Sequence, residues 1–148
     1  MSTIERKAEA TWKGSVTRGH GLVTTESEII KTATYGLSSR MKGDGKETNP
    51  EELIAAAAAA CFAMALSKTL GDQGAEPEEI VTRVEVGMDV TPDGPVIRTL
   101  NLLVEGRVAI DEDAFLEAVE TTEDTCPVLQ LLRPGFEEVT VESRLLRE

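Results

Sequence analysis

At 148 residues the chain is long enough to bury a hydrophobic core in one domain, and 41% hydrophobic against 28% charged side chains is a globular rather than a disordered composition. The net charge of −12, from 15 basic and 27 acidic side chains, argues against nucleic acid as a partner, because phosphates demand clustered Lys and Arg, and equally against an anionic membrane surface. Aromatics are only 3%, so Leu, Val, Ile and Ala must fill the core.

The start, MSTIERKAEATWKG, lacks the apolar stretch of a secretory signal, which predicts a cytoplasmic location. The first third reads as β. KAEATWKGSV alternates loosely around Ala8, Ala10 and Trp12, and HGLVTTES places β-branched residues after Gly19 and Gly21, a hairpin signal. Residues 29–40 fit neither helix nor strand cleanly, and Gly43 to Asn49 is a polar loop. A long helix follows. Asn49 stands at its N-cap, Pro50 at the first helical position and Glu52 at the capping-box position, with Gly71 as the expected stop. Its apolar run, Leu53 to Leu66, is 14 residues, short for a bilayer span and suited to a buried helix.

Beyond it, VTRVEVGMDV and VIRTLNLLVEGRVAI read as strands around the turn TPDGP. DEDAFLEAVETTEDT is an amphipathic helix with an acidic first turn. CPVLQLLR is a short helix that begins at a proline, and FEEVTVESRLL is a last strand. No repeat or linker interrupts the chain, which predicts a single α+β domain over residues 1–148.

The reactive inventory is small. One histidine, His20, and two separated cysteines argue against a zinc site. There is no phosphate-binding glycine loop, no dinucleotide fingerprint and no CxxC, so neither metal nor cofactor is expected. A Ser-His or Cys-His nucleophile could use only His20, with which nothing pairs by spacing, so the first candidates for reactive atoms in an enzyme are Cys61 and Cys126, 65 positions apart; the competing reading makes both thiols buried apolar filler. Cys126 precedes Pro127 at a helix cap, where backbone N–H groups favour a thiolate. Cys61 lies mid-helix and needs a cation from another segment. Arg40 is one candidate and Arg18 a second, each otherwise a solvated surface arginine. Glu52 has the capping role, which leaves Glu51 free to hold an arginine through a bidentate pair or to sit against the helix dipole.

These residues carry a resemblance. TNPEELIAAAAAACFAMALSKTLG followed by TCPVLQLL resembles the OsmC/Ohr family of osmotically induced and organic-hydroperoxide-resistance proteins. GLVTTES, the segment from Tyr35 to Gly43 and the acidic helix before Cys126 also have counterparts there, with the OsmC branch favoured. The resemblance implies an α+β fold with an antiparallel sheet, a long central helix containing Cys61, and an intertwined homodimer. It implies a thiol peroxidase without cofactor, in which Cys61 attacks an organic hydroperoxide, Cys126 resolves the sulfenic acid as a disulfide, and a dithiol of lipoyl type reduces the pair. It maps the assisting arginine and glutamate onto Arg40 and Glu51, with Arg18 as the Ohr-type alternative. One departure is Leu129, where the family often has a hydroxyl residue.

Elementary geometry adds a constraint. Cys61 lies ten residues past Glu51, about 15 Å along a straight helix. Either the helix breaks, or the Arg40–Glu51 pair at a given cysteine comes from a second chain. The six alanines Ala55 to Ala60 make a thin helix that another can approach closely, which points to a homodimer. Two rivals stand beside the peroxidase reading: a ligand-binding stress protein without catalysis, and a thiol–disulfide exchanger on proteins, against which the missing CxxC counts.

Overall fold

The structure, a computed structural model, describes residues 1–43 and 45–147. Asp44, within the expected polar loop, and Glu148 lie outside the described residues. The chain divides into two compact units, Met1–Leu53 and Ile54–Glu148.

The first unit carries an antiparallel three-stranded sheet, β1 (Ala8–Lys13), β2 (His20–Thr25) and β3 (Ala33–Tyr35), in that spatial order. Of the two glycines expected to turn the hairpin, Gly19 and Gly21, only the first does so. Gly14 (φ 92°) and Gly19 make the connection, whereas Gly21 lies within β2 between Trp12 and Tyr35. A Cβ there would come within 2.4 Å of the Tyr35 ring, so the position is glycine because the ring occupies the space above it. The ambiguous residues 29–40 resolve into β3 and a short helix, α1 (Leu37–Lys42), which ends at Gly43 in the left-handed conformation (φ 60°).

The helix α2 (Pro50–Asp72) is 23 residues long and unbroken, which removes the helix-break option. By length and composition alone it could cross a membrane, yet Ala58, Phe62, Leu66 and Leu70 form one stripe at a spacing of four, fully buried in the core of the second unit. The expected stop at Gly71 is displaced. The helix runs to Asp72 and closes on Gly74 (φ 81°), with Ala75 N–H on the Leu70 carbonyl (2.9 Å) and Gly74 N–H on that of Gly71 (3.0 Å). That is a Schellman motif, which requires the glycine at the left-handed residue rather than three positions earlier. At the other end Asn49 Oδ1 accepts from Glu52 N–H (2.8 Å), as expected of a cap, but the Glu52 carboxylate accepts from the Thr48 hydroxyl (2.9 Å) instead of completing a capping box.

The second unit holds β4 (Glu79–Thr91), β5 (Gly94–Arg107) and β6 (Glu138–Leu145). β4 and β5 form an antiparallel hairpin around Pro92 and Asp93, bulged at Gly87/Met88. β6 returns parallel to β5, so this sheet is mixed where an antiparallel one was expected. The reason is the crossover: α3 (Glu112–Thr125) and α4 (Pro127–Leu132) fill the connection, and a connection that long can reach the parallel register. Alternate residues of β5, Leu100, Leu102 and Val104, face the core. Phe115, Ala118, Val119 and Thr122 present the matching helical stripe on α3, and the Phe115 ring lies against Gly106, where a Cβ would come within 2.5 Å.

Candidate active site

The four residues singled out from the sequence fall into two groups. In the first unit, Ser39 organises the approach to α2. Its hydroxyl lies 2.8 Å from the Thr48 carbonyl and 3.0 Å from that of Gly36, and Asn49 Nδ2 donates to the Ser39 carbonyl (3.3 Å). These bonds fasten the end of α1 to the start of α2 and set Arg40 opposite Glu51. Arg40 Nε (2.9 Å) and Nη2 (2.7 Å) both donate to Glu51 Oε1. The expected bidentate fork is therefore a two-on-one contact, and the buried Oε2 has no hydrogen-bond donor. A buried acceptor left in that state costs about 1–3 kcal/mol. Glu51 is only 7% exposed while a third of the Arg40 side chain faces solvent, so the carboxylate is the anchor and the guanidinium the exposed end. Arg18 lies in the turn between β1 and β2, and among the described residues its guanidinium makes no ion pair or hydrogen bond. His20 is exposed at the start of β2 and likewise unpartnered through its ring.

In the second unit the thiols meet. Cys61 and Cys126 are both free, with their sulfurs 3.3 Å apart. Cys126 is fully buried at the junction of α3 and α4, its N–H on the Thr122 carbonyl (2.8 Å) and its carbonyl accepting from Gln130 N–H (2.9 Å). Burial pushes the Cys126 thiol up, and the neighbouring Cys61 pushes the same way; the N–H groups of Leu129 and Val128 pull against both and lose. The thiolate expected at this helix cap is thus overturned: the surrounding core removes more solvation than two backbone donors return. Cys126 keeps its proton and donates it to the Cys61 sulfur. Leu129, where a hydroxyl residue is common in the resembled family, is buried in the same core cluster as Cys126.

Cys61 opens onto a cleft of about 540 Å³. Met64, Ala65 and Pro127 line it together with Thr121 and Thr125 of α3, and the Lys68–Asp72 ion pair (2.7 Å) lies further along α2. A larger concavity of about 710 Å³, edged by Arg107, Asp111 and Arg147, holds no thiol. Chemistry, not volume, selects the cleft. No group of His, Cys, Asp and Glu among the described residues could hold a metal ion. Sequence reasoning missed Thr69 and Thr122, whose hydroxyls meet 3.0 Å apart between α2 and α3; a threonine on an amphipathic helix gives no signal of its partner.

The chain is thus α+β with two free thiols in contact, one on the wall of a cleft and the other buried behind it. A model of the OsmC-like protein family matches residues 43–141. Peroxiredoxin OsmC of Escherichia coli is 41% identical over 144 residues, covering 97% of this chain and 98% of that protein. The chain belongs to the OsmC-like family. Among solved structures, the organic hydroperoxide resistance protein OhrB of Bacillus subtilis is 27% identical with a TM-score of 0.66, covering 95% of this chain and 98% of the other. The fold also matches an OsmC-like protein of Mycoplasma pneumoniae, with a TM-score of 0.78 at 16% identity over 99% and 100% of the two chains.

Proposed function

We propose that the chain reduces organic hydroperoxides to alcohols at Cys61, in defence against peroxide stress. It is a peroxidase, as its 41% identity to a peroxiredoxin over 97% of its length supports. The observation that carries the mechanism is the pair of free thiols 3.3 Å apart, one facing a cleft and the other buried.

The Cys61 thiolate attacks the terminal oxygen of the hydroperoxide. The O–O bond breaks, that oxygen stays on sulfur as a sulfenic acid, and the alkoxide leaves as the alcohol after taking a proton. Cys126 then attacks the Cys61 sulfur. An S–S bond forms, the S–O bond breaks, and the departing hydroxide takes the Cys126 proton to leave as water. From 3.3 Å the sulfurs close by about 1.2 Å to reach disulfide bonding distance. An external dithiol, of the lipoyl type, becomes a disulfide as it returns both cysteines to thiols. Rapid resolution matters because a sulfenic acid left with peroxide proceeds to sulfinic acid.

Arg40 supplies the positive charge that stabilises the Cys61 thiolate and polarises the departing oxygen, and Glu51 holds Arg40 in place. Because Glu51 and Cys61 stand ten residues apart on an unbroken helix, about 15 Å, the pair serving one Cys61 comes from a second copy of the chain. The exposed Ala56, Ala57, Ala60 and Met64 of α2 are the face on which that copy packs. The working form is then a homodimer of one-domain chains, with two sites at the interface, acting in the cytoplasm.

Thiol-dependent consumption of cumene hydroperoxide by wild type, Cys61→Ser and Cys126→Ser tests the reading. Wild type should turn over, Cys126→Ser should react once and stall, and Cys61→Ser should be inert. Peroxide loss that persists in Cys61→Ser defeats the proposal.

A further inference from the structure

The structure assigns a positioning role to the Thr69–Thr122 hydroxyl pair: it holds α3 against α2 at the register that presents Cys126 to Cys61. The inference deepens the two-cysteine mechanism above and rests on it.

Thr122 occupies a core position of α3, fully buried beside Ala118 and Val119, where an aliphatic side chain would satisfy packing alone. Its hydroxyl instead lies 3.0 Å from that of Thr69 on α2 and 2.7 Å from the Ala118 carbonyl, and the Thr69 hydroxyl lies 3.0 Å from the Ala65 carbonyl. Each hydroxyl has one proton. Two protons thus serve three contacts: the interhelical bond is made when Thr122 donates to Thr69 while Thr69 donates to Ala65, or when Thr69 donates to Thr122 while Thr122 donates to Ala118.

Its placement is what gives it a role. Thr122 is one turn before Cys126 and its carbonyl accepts the Cys126 N–H (2.8 Å), so the hydroxyl contact and the cysteine backbone are joined through a single residue. On α2, Thr69 stands two turns past Cys61 on the wall of the same cleft. Apart from the sulfur contact itself, this is the one hydrogen bond between side chains of α2 and the α3–α4 segment among the described residues. When Cys61 is oxidised, the sulfur contact is rearranged, and the threonine pair is the polar link left to keep Cys126 within reach.

Thr122→Val has similar volume and lacks the hydroxyl. Reduced wild type and variant are mixed with one equivalent of cumene hydroperoxide, and Cys61 sulfenic acid, the Cys61–Cys126 disulfide and Cys61 sulfinic acid are followed separately by mass. In Thr122→Val, disulfide closure should slow on the order of tenfold to a hundredfold, the range expected when reacting groups lose alignment. Sulfinic acid should accumulate at lower peroxide, and Thr122→Ser should restore fast closure. A packing role alone would lower the melting temperature and leave the partition between disulfide and sulfinic acid as in wild type; that result overturns the inference. If Thr122→Val does not fold, Thr69→Val removes the same bond from the half-buried cleft side and is read by the same partition. Wild type that forms no Cys61–Cys126 disulfide would instead remove the underlying two-cysteine reading.

Discussion

Cys61 and Cys126 differ in what surrounds them, and that difference divides the chemistry. Cys61 opens onto a cleft that a substrate can enter, and Cys126 is sealed in the core and keeps its proton. The raised Cys126 value has a thermodynamic sign. The unfolded thiol ionises near its ordinary value of about 8.5, whereas the folded thiol ionises only at higher pH. Between the two the unfolded state binds fewer protons, so this contribution to stability is fully present below about 8.5 and is lost as pH rises through the folded value. Denaturant titrations of the reduced protein should show stability falling in alkali, with a shallower fall in Cys126→Ala; equal slopes would contradict the assignment. At the other half-site, Arg40→Gln should lower the rate constant for peroxide reduction on the order of 10²–10³-fold, as removal of a preorganised charge partner does. Glu51→Gln should lower it less, because the amide oxygen can still accept both Arg40 bonds that Oε1 accepts and only the carboxylate charge is lost. Single-turnover stopped-flow measures both, and a loss smaller in Arg40→Gln than in Arg18→Gln would transfer the role to Arg18.

Among the elements, α2 has two duties that leave different marks. Its buried stripe is structural: Phe62 is wholly enclosed with Leu66 and Leu70, and Phe62→Ala should cost about 3–5 kcal/mol in a urea titration. Its exposed side, with Met64 77% exposed next to exposed alanines, is the face proposed above to receive a second copy. Ala57→Glu places a charge there while keeping helix propensity. If the proposed dimer forms through this face, the substitution should leave the circular dichroism unchanged, give a monomer in gel filtration where wild type is a dimer, and abolish peroxide turnover. A monomer of full activity would show that one chain completes its own site. At the end of the helix, Gly74→Ala should destabilise by about 1 kcal/mol, the cost of a left-handed residue with a Cβ.

For the whole molecule, the strongly acidic charge of −12 bears on solubility and on the rate at which charged partners approach, and says little about the fold. The Arg40–Glu51 pair belongs to the first compact unit, Met1–Leu53, and the Cys61–Cys126 pair to the second, Ile54–Glu148. In the homodimer proposed above, the two pairs of one site come from different chains, and peroxide turnover then depends on protein concentration. Specific activity should fall on dilution below the dimer dissociation constant and recover on reconcentration.

Much of this was legible in the chain itself. Asn49 and Pro50 announce the start of α2 by local chemistry, because the cap and the first helical residue interact only with their neighbours. The helical spacing of Phe115, Ala118, Val119 and Thr122 likewise marks the buried face of α3, and the cysteine motifs point to the family. What needed segments brought together was decided by tertiary structure: the parallel entry of β6, the two-on-one grip of Arg40 on Glu51, and the Thr69–Thr122 bond. The protonation of Cys126 belongs with these. Its position at a cap is a local fact visible in the sequence, but its burial is the sum of side chains brought from α2, β5 and α4, and burial outweighs the cap.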